Sequence, residues 1–205
     1  VRRWIALVAL VALAACGGDE PKPIVGRLAP ALLTDADLRG QITNGTIVSV
    51  SELAPYVDPD PRGPCGARVV ALPLGDAVGV GVKSSNIGGV QLVARMKTST
   101  AKAYFSQRKS DLREGCPEFR TRTPDGIQRV KLDRVVALDV SADDAISVQR
   151  ATLLNGRVTS TTAIELRRGN VVDRLVLFAP APLNEITVRT LARRMANRLA
   201  SLSYS

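Results

Sequence analysis

ISVQRATLLNGRVTSTTAIELRRGNVVDRLVLFA, residues 146–179, divides into three runs, Ile146–Leu154, Arg157–Arg167 and Val171–Ala179, separated by two short breaks. Each run holds Val together with Ile, Thr or Phe, and such side chains suit a pleated, partly buried surface better than a helix. Asn155-Gly156 is a strong hairpin signal, because both central positions of a type I′ turn need positive φ. Arg168-Gly169-Asn170 closes the next hairpin in the same way. Strands joined this tightly must be antiparallel, since a parallel neighbour needs a crossover of a dozen or more residues. The middle run interleaves Val158, Ser160, Thr162, Ile164 and Leu166 with Thr159, Thr161, Ala163 and Glu165. Its inner face is therefore mixed, and its register is only moderately specified.

Helical periodicity replaces alternation downstream of this meander. After Ala179-Pro180-Ala181-Pro182, Asn184 can cap a helix running through Leu202. Val188, Leu191, Ala192, Met195, Leu199 and Leu202 form one apolar stripe, with Arg189, Arg193, Arg194 and Arg198 outside it. Such a helix is built to pack on a sheet.

Upstream, Gln128–Asp139 reads as a further strand. Thr98–Glu114 has the helical period, with Ala101, Tyr104, Phe105 and Leu112 inward and Lys102, Arg108, Lys109 and Arg113 outward; Gly115 stops it. Gly89–Met96 alternates Val90, Leu92, Ala94 and Met96 on one face, and Arg68–Leu74 is also β-like. The glycine-rich Gly75–Ser84, GDAVGVGVKS, is a β-hairpin or loop. It is not a phosphate loop, because Val82 precedes Lys83 where that motif needs glycine. Residues 55–66 must be irregular, since prolines repeatedly remove backbone donors. Leu32-Leu33-Thr34-Asp35-Ala36-Asp37-Leu38 sets a capping threonine and a downstream acid after an apolar pair, which predicts a short helix. The expected fold is α+β: a central, mostly antiparallel twisted sheet flanked by helices, with the C-terminal helix packed on it.

The N-terminus is of another kind. Arg2-Arg3 precede the apolar run Trp4–Ala15, which ends at Cys16 and is followed by Gly17-Gly18-Asp19-Glu20. A membrane-spanning helix needs about 20 apolar residues, so this run is too short and reads as an export signal. Leu13-Ala14-Ala15-Cys16 has the form of a lipobox, in which the cysteine sulfur receives a lipid such as palmitate; a non-lipidated secretory signal is the alternative. The chain then divides into a signal peptide over 1–15, a lipidated cysteine and flexible tether over 16–30, and a single folded domain over 31–205. The expected address is the extracytoplasmic face of the cell membrane, in the cell envelope, with the membrane itself a partner through the lipid.

That address shapes the reading of composition. With Cys16 assigned to lipid, Cys65 and Cys116 remain, and an oxidising compartment favours a disulfide between them. A redox or metal-binding pair would want a CxxC spacing or a histidine, and the chain has neither. Formal charge is +9, with 22 arginines among the 28 basic residues, and it stays at +7 once Arg2 and Arg3 leave. Outside the cell a basic domain favours anionic lipids, phosphorylated glycans or acidic proteins, and nucleic acid is not an expected partner. GC-rich codon usage is an equally simple source of the arginine.

The absence of histidine removes Ser-His-Asp and Cys-His catalysis and the commonest zinc sites. No enzyme, metal or cofactor is therefore expected. Asp58 and Asp60, or Asp139, Asp143 and Asp144, lack the order of a calcium loop and read as solvated loop acids. Asn44-Gly45-Thr46 is most simply a turn. Lys83 or Lys131 converging on a buried serine would be needed to revive a hydrolase. Arg120, Arg122, Arg129 and Arg134, with the arginines of the last helix, could make an anion-binding surface. Tyr56, Tyr104 and Phe119 are the aromatics available for stacking, with Tyr104 and Phe105 better read as core.

The lipobox, the tether, Leu32–Leu38, Cys65-Gly66-Ala67, a helix ending at Cys116, the hairpin Glu165–Val172 and the final helix together resemble actinobacterial envelope lipoproteins of the PknH-like extracellular sensor domain family. The resemblance covers about residues 31–203. It implies a sheet flanked by helices with a surface cleft for an unidentified ligand, and a non-catalytic role. The kinase's own domain carries two disulfides, whereas Cys65 and Cys116 are the pair available here. The function expected is a lipid-anchored, sensor-like domain binding a small envelope-derived or lipid-like ligand, a lipid or glycan, in that cleft. The alternative is an accessory lipoprotein that docks to an envelope protein complex through its basic face.

Overall fold

The computed structural model describes residues 27–38, 43–44, 72, 76–113, 118–123, 126–154 and 157–202. The signal segment, Cys16, Cys65, Cys116, Tyr56, Asp58, Asp60 and all of 55–74 except Leu72 lie outside the described residues. A 3-10 turn at Ala29–Ala31 and a short helix α1 (Asp35–Leu38) come first, followed by β1 (Thr43–Asn44), β2 (Ala77–Lys83), β3 (Gly88–Arg95) and helix α2 (Thr98–Arg113). Then come β4 (Glu118–Thr123), β5 (Gly126–Val135), β6 (Asp144–Leu154), β7 (Arg157–Arg168), β8 (Val171–Ala179) and helix α3 (Glu185–Ala200). The eight strands form one sheet in the order β1-β2-β3-β8-β7-β6-β5-β4, and every neighbouring pair is antiparallel.

The expected meander is present, with Leu154 opposite Arg157 and Arg168 opposite Val171 across the two tight turns. Gly169 has φ 59°, a left-handed value that glycine adopts without a Cβ penalty. The α3 start also follows the sequence: the Asn184 side chain accepts from the Thr187 N–H at 2.8 Å. The short helix α1 is closed as expected too, with the Thr34 N–H and hydroxyl both donating to Asp37 Oδ2.

Two elements depart from the sequence reading. Gly75–Ser84 contributes a regular strand, β2, paired with β3 through Ala77↔Ala94 to Lys83↔Gly88. Its Val78, Val80 and Val82 alternate with small residues, and the glycines obscured that alternation. Glu118–Thr123 forms β4, an edge strand whose Arg and Thr content gave no apolar signal. Polar and charged side chains are a usual way to blunt a sheet edge. Packing also begins at Leu28, which is 4% exposed, inside the stretch read as tether.

Helices cover both faces of the sheet. On one, Val93, Ile164, Leu166, Leu175 and Leu177 meet Val188, Leu191, Ala192, Met195 and Leu199 of α3. On the other, Val90, Leu92, Ile146, Val148, Val172 and Val176 meet Ala101, Tyr104 and Phe105 of α2. The Tyr104 and Phe105 rings pack edge to face with centroids 5.5 Å apart. Strand β8 is consequently buried along both faces.

Gly89 stands opposite Leu177 on the neighbouring strand β8. A Cβ there would lie 2.4 Å from the Val176 carbonyl oxygen and 2.7 Å from Leu177 Cδ2, whereas one at Gly88 meets nothing within 4 Å. Gly89→Ala is expected to destabilise the fold by ~1–3 kcal/mol, the usual range for overpacking. Gly88→Ala should stay within ~0.5 kcal/mol of the parent, as at open surface sites. Urea unfolding of the two variants checks this, and equal midpoints would refute the close approach.

Candidate functional site

Two buried polar centres and one open surface stand out. The first buried centre lies under α2. Glu165 is fully buried on β7, and its Oε1 takes a 2.6 Å ion pair from Arg108 Nη2. Its Oε2 accepts from the Tyr104 hydroxyl at 2.8 Å and from Arg108 Nε at 3.2 Å, and Arg174 on β8 stands 3.7 Å from Oε1. Burial alone would raise the Glu165 pKa, but Arg108 and Arg174 pull it down to about 2. Burial, with Glu165 adding to it, drives the Tyr104 hydroxyl well above its usual value, so it remains a donor.

This corrects the sequence reading of Arg108 as an outward residue. It is 7% exposed and faces the sheet. Lys109, also read as outward, is half-exposed and reaches Asp144 Oδ1 at 2.5 Å. Asp144, read as a solvated loop acid, is instead half-buried at the start of β6, and Asp143 is an exposed loop acid with partners. Arg167 Nε donates to Asp144 Oδ2 at 2.6 Å and its Nη1 to Asp143 Oδ2 at 3.1 Å, while the Gly169 N–H donates to the same Asp143 oxygen. Asp139 is exposed, as is Asp143 despite these bonds, while Asp144 is half-buried.

The second buried centre lies on the α3 side. Asp173 on β8 is fully buried and accepts from Gln91 Nε2 at 3.0 and 3.1 Å. Gln91 also donates to the Ala31 carbonyl and accepts from the Leu33 N–H, so it clamps the start of the fold onto the sheet. Burial pushes the Asp173 carboxyl up to about 8, and the Gln91 hydrogen bond opposes this only in part. At neutral pH Asp173 is predominantly a neutral acid. A second tie joins the same region to α3: Arg198, expected outside the helix, reaches back to Asp37 at 2.7 Å and to the Thr34 hydroxyl at 2.9 Å.

The open surface is the limb formed by β4, β5, β6 and the adjoining end of β7, on the α3 side of the sheet. Register places Arg120, Arg129, Leu153 and Val158 in one row across the four strands, and Glu118, Lys131, Ala151 and Ser160 in the next. A bulge between Leu132 and Arg134 then shifts the pleat by one residue. It turns Arg134 and Val136 to the α3 side, where odd-numbered Arg129 and Lys131 had stood. Arg134 pairs with the Gln149 side chain and donates to the Leu183 carbonyl at 2.9 Å, and its Nη1 lies 3.4 Å from Glu185, tying the first turn of α3 to the sheet. Beyond that first turn no helix among the described residues covers the limb, and Leu153 and Val158 are exposed.

Of the arginines singled out from sequence, Arg120, Arg122 and Arg129 thus occupy one sheet face, with Arg134 joining them past the bulge. The arginines of α3 do not: Arg189 pairs with Glu185 and Arg198 with Asp37. Tyr104 is core, as expected, and Phe119 lies on β4. Lys83 ends β2 and Lys131 lies on β5, both exposed. The hydroxyls of Ser147 and Ser160 are buried on the α3 side and have no protein partner. Among the described residues no cluster of acidic or cysteine side chains could hold a metal ion, and no helix is long and apolar enough to cross a membrane.

No family model and no curated protein matches the sequence. Among solved structures, the extracellular domain of PknH from Mycobacterium tuberculosis is similar, with TM-score 0.58 and 12% identity, over 87% of this chain and 98% of that one. The chain therefore has a PknH-like fold. At that identity the likeness extends to the architecture and not to individual site residues.

The two buried carboxyls predict opposite pH responses. Glu165 is held below its unfolded pKa, so its contribution is present above pH ~4.3 and is lost as pH falls toward about 2. Asp173 is held above its unfolded pKa, so its contribution is full below pH ~4 and fades as pH rises through about 8. Glu165→Gln strands Arg108 and is expected to cost ~3–5 kcal/mol. Asp173→Asn is expected to flatten the loss of stability between pH 5 and pH 8 (roughly the window between the two Asp pKa values) and to raise stability at the alkaline end. Urea midpoints across pH test both, and an unchanged alkaline slope in Asp173→Asn would rule out titration of that carboxyl.

Proposed function

We propose that this chain is a lipid-anchored, extracytoplasmic, non-catalytic sensor-like domain that binds a small envelope-derived or lipid-like ligand in a surface cleft. The observation that carries the proposal is the fold likeness to an extracellular domain, end to end over 98% of that domain, in a chain whose N-terminus has the lipobox form. A PknH-like domain following a leader of Arg2-Arg3, an apolar run and Cys16 is placed by that leader on the outer side of the membrane. Cys16 carries the lipid, and Cys65 and Cys116 are joined in the oxidising compartment outside.

The non-catalytic reading rests on the chemistry that the chain offers. It has no histidine to act as a base near neutral pH. The buried carboxylates are spoken for, Glu165 by Arg108, Arg174 and Tyr104, and Asp173 by Gln91. The unpartnered hydroxyl of Ser160, beside Thr162 and Gln149 under the first turn of α3, offers a polar contact for a ligand head group.

Cys16→Ala is expected to move the protein from the membrane fraction to the soluble fraction of its host, with the uncut precursor retained where processing is blocked. A variant that is processed and lipidated as before would end the lipobox reading. For the ligand, native mass spectrometry of the protein purified from its host should show a discrete added mass that organic extraction removes. Repeated recovery of the bare polypeptide mass would count against a bound ligand and leave the anchor standing.

A further inference from the structure

Residues 28–38 pack into the α3-side core without belonging to the sheet. Leu28, Ala31, Leu33 and Leu38 are buried there, in one cluster with Val82, Val93 and Leu175 and with Leu191, Met195 and Leu199 of α3. None of residues 28–38 is part of a strand, and the backbone bonds among them close local turns. Ala31 N–H donates to the Leu28 carbonyl, Leu32 N–H to Ala29, and the Asp37 and Leu38 N–H groups to Thr34.

Side chains from the sheet and from α3 reach across to hold the segment. Gln91 on β3 accepts from the Leu33 N–H at 2.8 Å and donates to the Ala31 carbonyl at 3.3 Å, and the same amide nitrogen donates to Asp173. Arg198 in the last turn of α3 pairs with Asp37 and donates to the Thr34 hydroxyl. Local openings in proteins begin where packing and laddered bonds are fewest. Departure of this segment would break no strand pairing.

From this geometry we propose that residues 28–38 form a strap that opens as one unit while the sheet and both long helices stay folded, with Gln91–Asp173 and Arg198–Asp37 as its latches. The open state bares the Gln91 amide and the Asp173 carboxyl bonded to it. Neither a ligand nor the lipid is needed for this.

The inner latch makes the strap sensitive to pH. Asp173 lies opposite Val93 and Leu166 on the neighbouring strands, and burial holds its carboxyl up to about 8, opposed by the Gln91 hydrogen bond. By alternation, the charged residues on the same face of those strands are Arg95 on β3, which pairs with Asp76, and Arg168 on β7. The strap carries Asp35 and Asp37, and α3 answers Asp37 with Arg198. A closed strap keeps the Asp173 carboxyl neutral, whereas an open one gives it to water, where it ionises at about pH 4. Opening then releases a proton between those two values, so its equilibrium constant rises about tenfold per pH unit and levels off above about 8.

Hydrogen exchange of the full chain reads the opening, followed by mass spectrometry on overlapping peptides from 28–38, 98–113 and 171–179 and corrected for the intrinsic rate at each pH. Residues 28–38 are expected to exchange as a block, faster than 171–179 and with little dependence on sub-denaturing urea. Residues 171–179 should show the steep urea dependence of global unfolding. From about pH 5 to about pH 7.5 the opening constant of 28–38 should rise about tenfold per unit in the parent and stay level in Asp173→Asn. Arg198→Ala should raise it about fivefold at every pH and leave the slope in place.

Three results would overturn the proposal. If 28–38 and 171–179 share one rate and one urea dependence, the segment opens only with the whole domain. If the Ala31–Leu33 amides and the Asp37–Leu38 amides open with different constants, they are not one strap. If the pH slope survives in Asp173→Asn, or Arg198→Ala leaves the opening constant as it was, the latch concerned does not hold the segment. The parent chain alone decides the first two, even where a variant fails to fold.

Discussion

Strand β8, most of β3 and residues 160–167 of β7 are covered on both faces, and a charge placed there has to be answered inside the protein. Most of the polar architecture follows from that constraint. Glu165 on β7 is met by Arg108 and Tyr104 from α2 and by Arg174 from β8, so the helix can sit on the sheet in one axial position only. Asp173, on the neighbouring strand β8 and the opposite face of the sheet, has an amide partner instead of a cation, and burial keeps it largely protonated. The difference between the two is one of partners: a carboxyl facing two guanidiniums stays charged, while one facing an amide and aliphatic side chains does not. Replacing such a buried pair by apolar groups is often neutral, whereas removing one partner is costly. What the Glu165 cluster contributes is therefore positional, fixing where α2 lies.

The same logic ties the start of the fold to its end. Gln91 spends one side of its amide on Asp173 and the remainder on the backbone of Ala31 and Leu33. Asp37 and Thr34, a few residues later, are held by Arg198 in the last turn of α3. An arginine there also suits the negative end of the helix. The residues that follow the tether are thus clamped by β3, β8 and α3 together.

The tightly turned and strongly periodic parts of this fold were legible in the sequence. Asn155-Gly156, Gly169 and the apolar stripe of α3 each rest on a local rule that tertiary context did not override. β2 was obscured because its alternating partners are glycines, and β4 because an edge strand needs no apolar face. Arg108 is a different case. Ala101, Tyr104, Phe105, Arg108 and Leu112 follow the i, i+3, i+4, i+7, i+11 spacing of one helix face, so its position was available and its charge led the reading astray. Glu165 gave a matching hint, lying between Ile164 and Leu166 in the middle strand of the meander. A charged residue on the buried stripe of a helix and an opposite charge on a two-sided strand are each anomalous alone, and together they indicate a contact. The candidate surface was half legible: the limb arginines could be named, but only register shows that Arg120 and Arg129 face each other beside Leu153 and Val158.

Arginine-rich composition has by itself two explanations, codon usage and function, and the fold separates the residues to which each applies. Arg108, Arg167, Arg174 and Arg198 have carboxylate partners and belong to the architecture. Arg193 and Arg194 lie on the solvent side of α3, where a lysine or glutamine would serve the helix as well. Arg129 and Arg134 also have carboxylate partners, Glu118 and Glu185, out on the β4–β6 limb. Codon bias would spread arginine over the exposed positions of both sheet faces and both helices. It would not by itself set a carboxylate against Arg108, Arg129, Arg134, Arg167, Arg174 and Arg198, and so these pairings are the part of the basic composition that the fold explains.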